Sequence, residues 1–271
     1  SEYVNHRVAR MLDKLKVDYK KHQFKMSSTM FDDQMAALKK CADIVKQLQK
    51  DGLPVWNDPD FGPSSMDPHG INSILFSESE PYTGAPDPDD VFWFRPHEIS
   101  TEKKPYFILN EAESNDVIQS QRLGNCWMIG ALSILASDDL LIKGGFYLEE
   151  GKEATSLTDE EAYSFTQGVY PPIFHHFARY GIYVMRFYKN NAWKYVLIDG
   201  KLPCTNSYGN IELIFGSCKD RSEFWVPLIE KAYAKVHGCY EALISGDMSE
   251  ALSDFTGLMT QRINVFAKRA G

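Results

Sequence analysis

The chain lacks any run of 18 or more apolar residues, so nothing in it reads as a membrane-spanning helix. Its first stretch, Ser1 to Lys20, is polar and charged where a secretory leader needs an apolar centre, and a cytoplasmic location is expected. Basic residues are in deficit: 29 Lys and Arg face 37 Asp and Glu, for a net charge of −8. No dense Lys/Arg cluster with interleaved aromatics offsets that deficit, which argues against a nucleic-acid surface. Cysteine is sparse too. Cys41, Cys126, Cys204, Cys218 and Cys239 form no CxxC pair and no dense even framework, which argues against disulfide stapling and a structural zinc site. Internal repeats and low-complexity tracts are missing as well.

What remains is an ordinary globular composition, 44% hydrophobic and 13% aromatic over 271 residues, enough for one large domain or two smaller ones. Val4, Val8, Met11, Leu12 and Leu15 stand at helical spacing, and Met35, Leu38, Ala42, Val45 and Leu48 predict a second amphipathic helix. Thr29 with Asp32 resembles a capping box, and Asp51-Gly52 followed by Pro54 reads as a stop. These helices are expected either as an arm that docks elsewhere or as surface helices on their own domain. Nine of the thirteen prolines fall between Gly52 and Pro105, which predicts a loop wrapped over a surface and pinned by Phe92-Trp93-Phe94-Arg95-Pro96. Gly181 to Asp199 reads as a hairpin turning at Lys189-Asn190-Asn191-Ala192, and Ser222 is expected to cap a helix running through Val236. Helices and a small antiparallel sheet in separate blocks imply an α+β fold.

The most informative stretch is Leu123-Gly124-Asn125-Cys126-Trp127, followed by an apolar run to Ala136. A cysteine that follows a glycine turn and opens a helix holds its sulfur at the positive end of the helix dipole, where thiolate is favoured. The competing expectation is a small apolar residue buried in a core helix.

Three blocks resemble the calpain family of papain-related cysteine proteases. They are Asp116-Val117-Ile118-Gln119 leading into Leu123 to Trp127, Ser222-Glu223-Phe224-Trp225 through Ala242-Leu243, and Asp254-Phe255-Thr256-Gly257. The helical periodicity gives an extension over 1–52, which lies outside the resemblance; the resemblance, covering roughly Leu53 to Gly257, implies the cysteine-bearing first lobe of a papain-like core over 53–257 and a linker or the start of a second lobe over 258–271. It implies Cys126 as nucleophile, Trp127 as cleft wall, and protein substrates. The family's histidine and asparagine belong to a second lobe that is expected to be absent from this chain. His175, His176 and His237 follow the cysteine, none at the required position. The chain alone is therefore expected to be inactive as an endopeptidase. The rival expectation is a calpain-fold scaffold or binding module in a cytoskeletal or other large assembly.

Two departures from the family stand beside the nucleophile. The family's oxyanion glutamine lies six residues before the cysteine, where this chain has Ser120; one inserted residue leaves Gln119 or Gln121 to supply the amide. Asn125 replaces the aspartate common in the family. The resemblance further implies a Ca²⁺ site from Asp116 and Glu223 with carbonyls of about Leu109 and Glu111, hard oxygen ligands suited to that ion. No EF-hand loop is present.

Overall fold

The computed structural model describes residues 28–100, 104–108, 112–146 and 165–263. Helix α1 spans Ser28–Asp51. Leu38, Cys41, Ala42, Val45 and Leu48 are buried along it, one apolar stripe at three- and four-residue intervals. Gly52 ends it in left-handed backbone, φ 69°, and the Leu53 N–H donates back to the Leu48 carbonyl at 2.9 Å. Thr29 lies inside this helix rather than ahead of it. The stripe from Ala37 to Val45 joins the same core as the rest of the described chain, and Gln34 Nε2 donates to Gln167 Oε1 at 2.7 Å. This helix thus packs on the core formed by the rest of the described chain. The helix expected over residues 2–22 lies outside the described residues.

The remaining elements, in chain order, are β1 (Phe92–Phe94), α2 (Pro96–Ile99), β2 (Val117–Ile118), α3 (Cys126–Leu135), α4 (Leu140–Lys143), β3 (Gly145–Phe146) and β4 (Phe165–Thr166). They continue as β5 (Ile182–Lys189), β6 (Ala192–Asp199), β7 (Leu202–Ser207), β8 (Asn210–Leu213), β9 (Ser217–Cys218), α5 (Trp225–His237) and α6 (Met248–Thr256). All strand pairs in the sheets are antiparallel: β1-β7-β8, β2-β9, β3-β4 and β5-β6. Helices and small antiparallel sheets in one core give the expected α+β class.

The proline-rich wrap is mostly turns, and β1 pins it by pairing with β7 from Phe92↔Cys204 to Phe94↔Leu202. Trp93 Nε1 donates to the His69 carbonyl at 2.7 Å, and Arg95 Nη2 to that of Trp56 at 2.7 Å. The β5-β6 hairpin turns at Asn190-Asn191, with φ 53° and 61°, the paired left-handed conformation of a two-residue hairpin turn.

Helix α5 is buried from Trp225 through Ala234. It opens at Trp225, later than Ser222, because the Ser222 hydroxyl turns to Asp220 Oδ1 at 2.7 Å and leaves Phe224 in the capping position. Two adjacent charges, Glu230 and Lys231, lie within this buried helix at 1% and 0% exposure. Among the described residues no helix is long and apolar enough to cross a membrane.

Candidate active site

Leu123 is buried and Gly124 exposed; Asn125 is buried, and Cys126 emerges to solvent as the first residue of α3. The Asn125 carbonyl accepts the N–H groups of Met128 at 3.0 Å and Ile129 at 3.1 Å, closing the first turn beneath the sulfur. The Gly124 carbonyl accepts from the Ser245 N–H at 3.1 Å, tying this turn to the segment ahead of α6. The other four thiols are buried. Burial pushes Cys41 and Cys204 up to about 12 and raises Cys218 and Cys239. Cys126 is thus the thiol that an incoming electrophile meets.

Trp127 turns the other way. It is 9% exposed, its indole N–H donates to the Leu243 carbonyl at 2.8 Å, and its ring centroid lies 5.9 Å from that of Tyr233. Among the described residues this side chain packs into the core beneath the start of α3. Gly246 makes room for it, since a Cβ there would lie 2.3 Å from the indole.

Both candidate oxyanion donors, Gln119 and Gln121, are exposed, and Ser120 between them faces inward. The Ser120 hydroxyl donates to the Ile214 carbonyl at 2.7 Å and accepts from the Arg122 N–H at 3.1 Å. Ser120 thus serves as an anchor, with an exposed glutamine on either side.

Sequence reasoning missed Glu230. Its Oε1 accepts Asn125 Nδ2 at 2.7 Å and its Oε2 accepts the Gly216 N–H at 2.8 Å. Burial outweighs both donors and pushes this carboxyl up to about 7. The available signal was a lone acid among Leu228, Ile229, Ala232 and Tyr233 of an apolar helix, together with the amide at 125.

The segments that carry the two expected calcium carboxylates, Asp116 and Glu223, are each held by backbone pairing. Val117 pairs with Cys218, and the Asp116 carbonyl accepts the Lys219 N–H at 2.8 Å. Tyr106 bridges to Glu223, and the Phe224 N–H donates to the Tyr106 carbonyl at 3.0 Å. Both carboxylates act on the Cys218 thiol: after burial, Glu223 and Asp116 raise it further. Leu109 and Glu111 lie outside the described residues. Among the described residues no group of three or more His, Cys, Asp and Glu forms a metal cluster. The carboxylates of Asp116 and Glu223 are hard oxygen donors of the type that suits calcium.

His175 gives Nε2–H to the Tyr170 carbonyl at 2.8 Å and His237 gives Nδ1–H to that of Tyr233 at 2.8 Å. Burial lowers both imidazoles.

Residues 56–270 match the family model described as calpain family cysteine protease. Mouse calpain-5 is 34% identical over 68% of this chain and 25% of its own length. The calpain-2 catalytic subunit of rat is 32% identical over 75% of the chain and 24% of its own length. Drosophila melanogaster calpain-A is 34% identical over 67% and 18%. The chain therefore spans about a quarter or less of the length of these relatives.

Proposed function

The chain belongs to the calpain family of cysteine proteases, and on that premise we propose that it supplies the nucleophile half of a calcium-dependent endopeptidase acting on proteins. One observation carries the reading: among five thiols the exposed one is Cys126, at the start of α3. In this role its sulfur attacks a peptide carbonyl carbon. The oxyanion that forms is held by the Cys126 N–H at the helix start and by the amide of Gln119 or Gln121. Proton transfer to the leaving amine falls to an imidazole oriented by an asparagine in a second lobe.

Asp116 and Glu223, with carbonyls of the 109–111 segment, are the proposed calcium ligands. Bound there, the cation would neutralise the charge of these two carboxylates. The domain limits at 52 and 257, and a cytoplasmic setting, belong to the same proposal.

The test uses the 271-residue chain. Iodoacetamide is expected to label Cys126 first, and Ca²⁺ to change the labelling rate in the wild type but not in Asp116→Asn or Glu223→Gln. Casein is expected to stay intact at every calcium level. First labelling at another cysteine overturns the nucleophile assignment, a rate indifferent to Ca²⁺ overturns the calcium site, and Cys126-dependent casein cleavage overturns the division of the active site.

A further inference from the structure

Glu230 stands between the two loops that the proposed function assigns to the reaction. On one side its Oε1 takes the Asn125 amide, the residue bonded to Cys126, at 2.7 Å. On the other its Oε2 takes the Gly216 N–H at 2.8 Å. A Cβ at Gly216 would lie 3.1 Å from each carboxylate oxygen, so glycine is what admits the carboxylate this closely. Two residues before that glycine, the Ile214 carbonyl receives the Ser120 hydroxyl at 2.7 Å. Ser120 is the residue between Gln119 and Gln121. The turn that joins these bonds is stiff: the Ile214 N–H is fixed to the Pro203 carbonyl at 3.0 Å, and Phe215 stacks on Tyr240 with ring centroids 4.2 Å apart.

We propose that Glu230 is a positioning residue, a buried carboxylate clamp that sets the distance between the Cys126 sulfur and the Gln119/Gln121 amides. This rests on the reading of those residues as nucleophile and oxyanion donor. Both loops present donors, an amide N–H and a backbone N–H, so the group between them must offer two acceptors on one rigid plane. A carboxylate midway along a helix fixed in the core does so. A glutamine offers one acceptor and an alanine none.

Two electrophiles separate positioning from general structure. Iodoacetamide alkylates the thiol without forming an oxyanion. N-Acetylglycinal adds to it, sulfur to the carbonyl carbon and the thiol proton to the oxygen, and places that oxygen where the amide donor is needed. In folded Glu230→Ala the affinity for the aldehyde is expected to fall about tenfold, a part of what one oxyanion donor is worth, while alkylation changes less than about twofold. Ser120→Ala, which cuts the outer link without opening the core, gives the same split, and Glu230→Gln falls between wild type and alanine. Equal slowing with both probes, or no change with either, overturns the clamp.

A wild-type chain that holds the aldehyde no tighter than N-acetylcysteine does sinks the protease reading instead. The clamp is then decided by amide hydrogen exchange. Glu230→Ala must speed exchange at Gly216 and at Met128 and Ile129, whose N–H groups bond the Asn125 carbonyl; unchanged exchange there overturns it.

Discussion

Glu230 and Lys231 are neighbours in α5, both buried, and they are satisfied in opposite ways. Lys231 Nζ meets a carboxylate oxygen of Asp199 at 2.5 Å and the carbonyl of Lys201 at 2.6 Å. Asp199 in turn accepts the Asp58 and Lys201 N–H groups at 2.9 Å each. This side ties the hairpin, β7 and the proline-rich wrap together through full charges. Glu230 has no cation in its hydrogen bonds, only the neutral donors of Asn125 and Gly216. The first arrangement secures a scaffold; the second leaves an acid poised near neutrality beside the turn that carries Cys126. The comparison teaches that the cost of losing a buried charge depends on what its partner has left.

The strongest way to break that comparison is Lys231→Met. It abandons the Asp199 carboxylate at 2% exposure with only two backbone donors. An unpaired buried charge costs about 3–5 kcal/mol, to be read from urea unfolding at pH 7. Adding Asp199→Asn should recover part of it. A loss below about 1 kcal/mol would mean that the ion pair contributes no more than Glu230's neutral bonds.

The pH dependence comes next. Glu230 is raised from 4.5 to about 7, so its contribution to stability is complete below about 4.5 and is lost as pH rises through 7. The full swing is about 3 kcal/mol. His175 and His237, lowered by burial, pull the other way: their contribution is present above their ordinary range and is lost as pH falls. The difference between wild type and Glu230→Gln isolates the acid. Relative to wild type, the glutamine variant should gain stability between pH 5 and pH 8; a flat difference would remove Glu230 from the titration.

Periodicity made much of this fold legible. The apolar stripe of α1, the Asn-Asn hairpin and the apolar run of α3 are local patterns, and each formed where the residues predicted. β8, by contrast, carries only Asn210 to Leu213, too short and mixed for its alternation to be read. Of the two expectations for Cys126 the exposed one is observed, whereas the inward turn of the next residue, Trp127, has no signal in the local pattern. One step along a helix is about 100°, and only the room at Gly246 shows that the indole turns inward. Glu230 lies 105 residues from Asn125 in sequence, so no local pattern could pair them.

Gly246→Ala tests whether the Cys126 side relies on packing where the Lys231 side relies on charge. The new methyl meets the Trp127 ring, and shifting that wedge should cost about 1–3 kcal/mol in urea unfolding. Tryptophan fluorescence should change with it. An unperturbed spectrum and melting curve would show that the seat of Trp127 has slack.

Tyr233→Phe gives the smallest effect and the finest test of the rule. Tyr233 also lies in α5, and its hydroxyl donates to Asp254 Oδ2 at 2.5 Å. That carboxylate is paired as well with Lys189 Nζ at 2.5 Å, so removing the hydroxyl leaves no charge stranded. The ring stays, and with it the contacts to Trp127, Phe187 and Phe255. Loss of a hydrogen bond whose acceptor keeps a cation should cost about 0.5–1.5 kcal/mol in urea unfolding, several-fold less than Lys231→Met. Should the two variants cost the same, the cation left on Asp254 would count for nothing, and what a partner retains would not govern the loss.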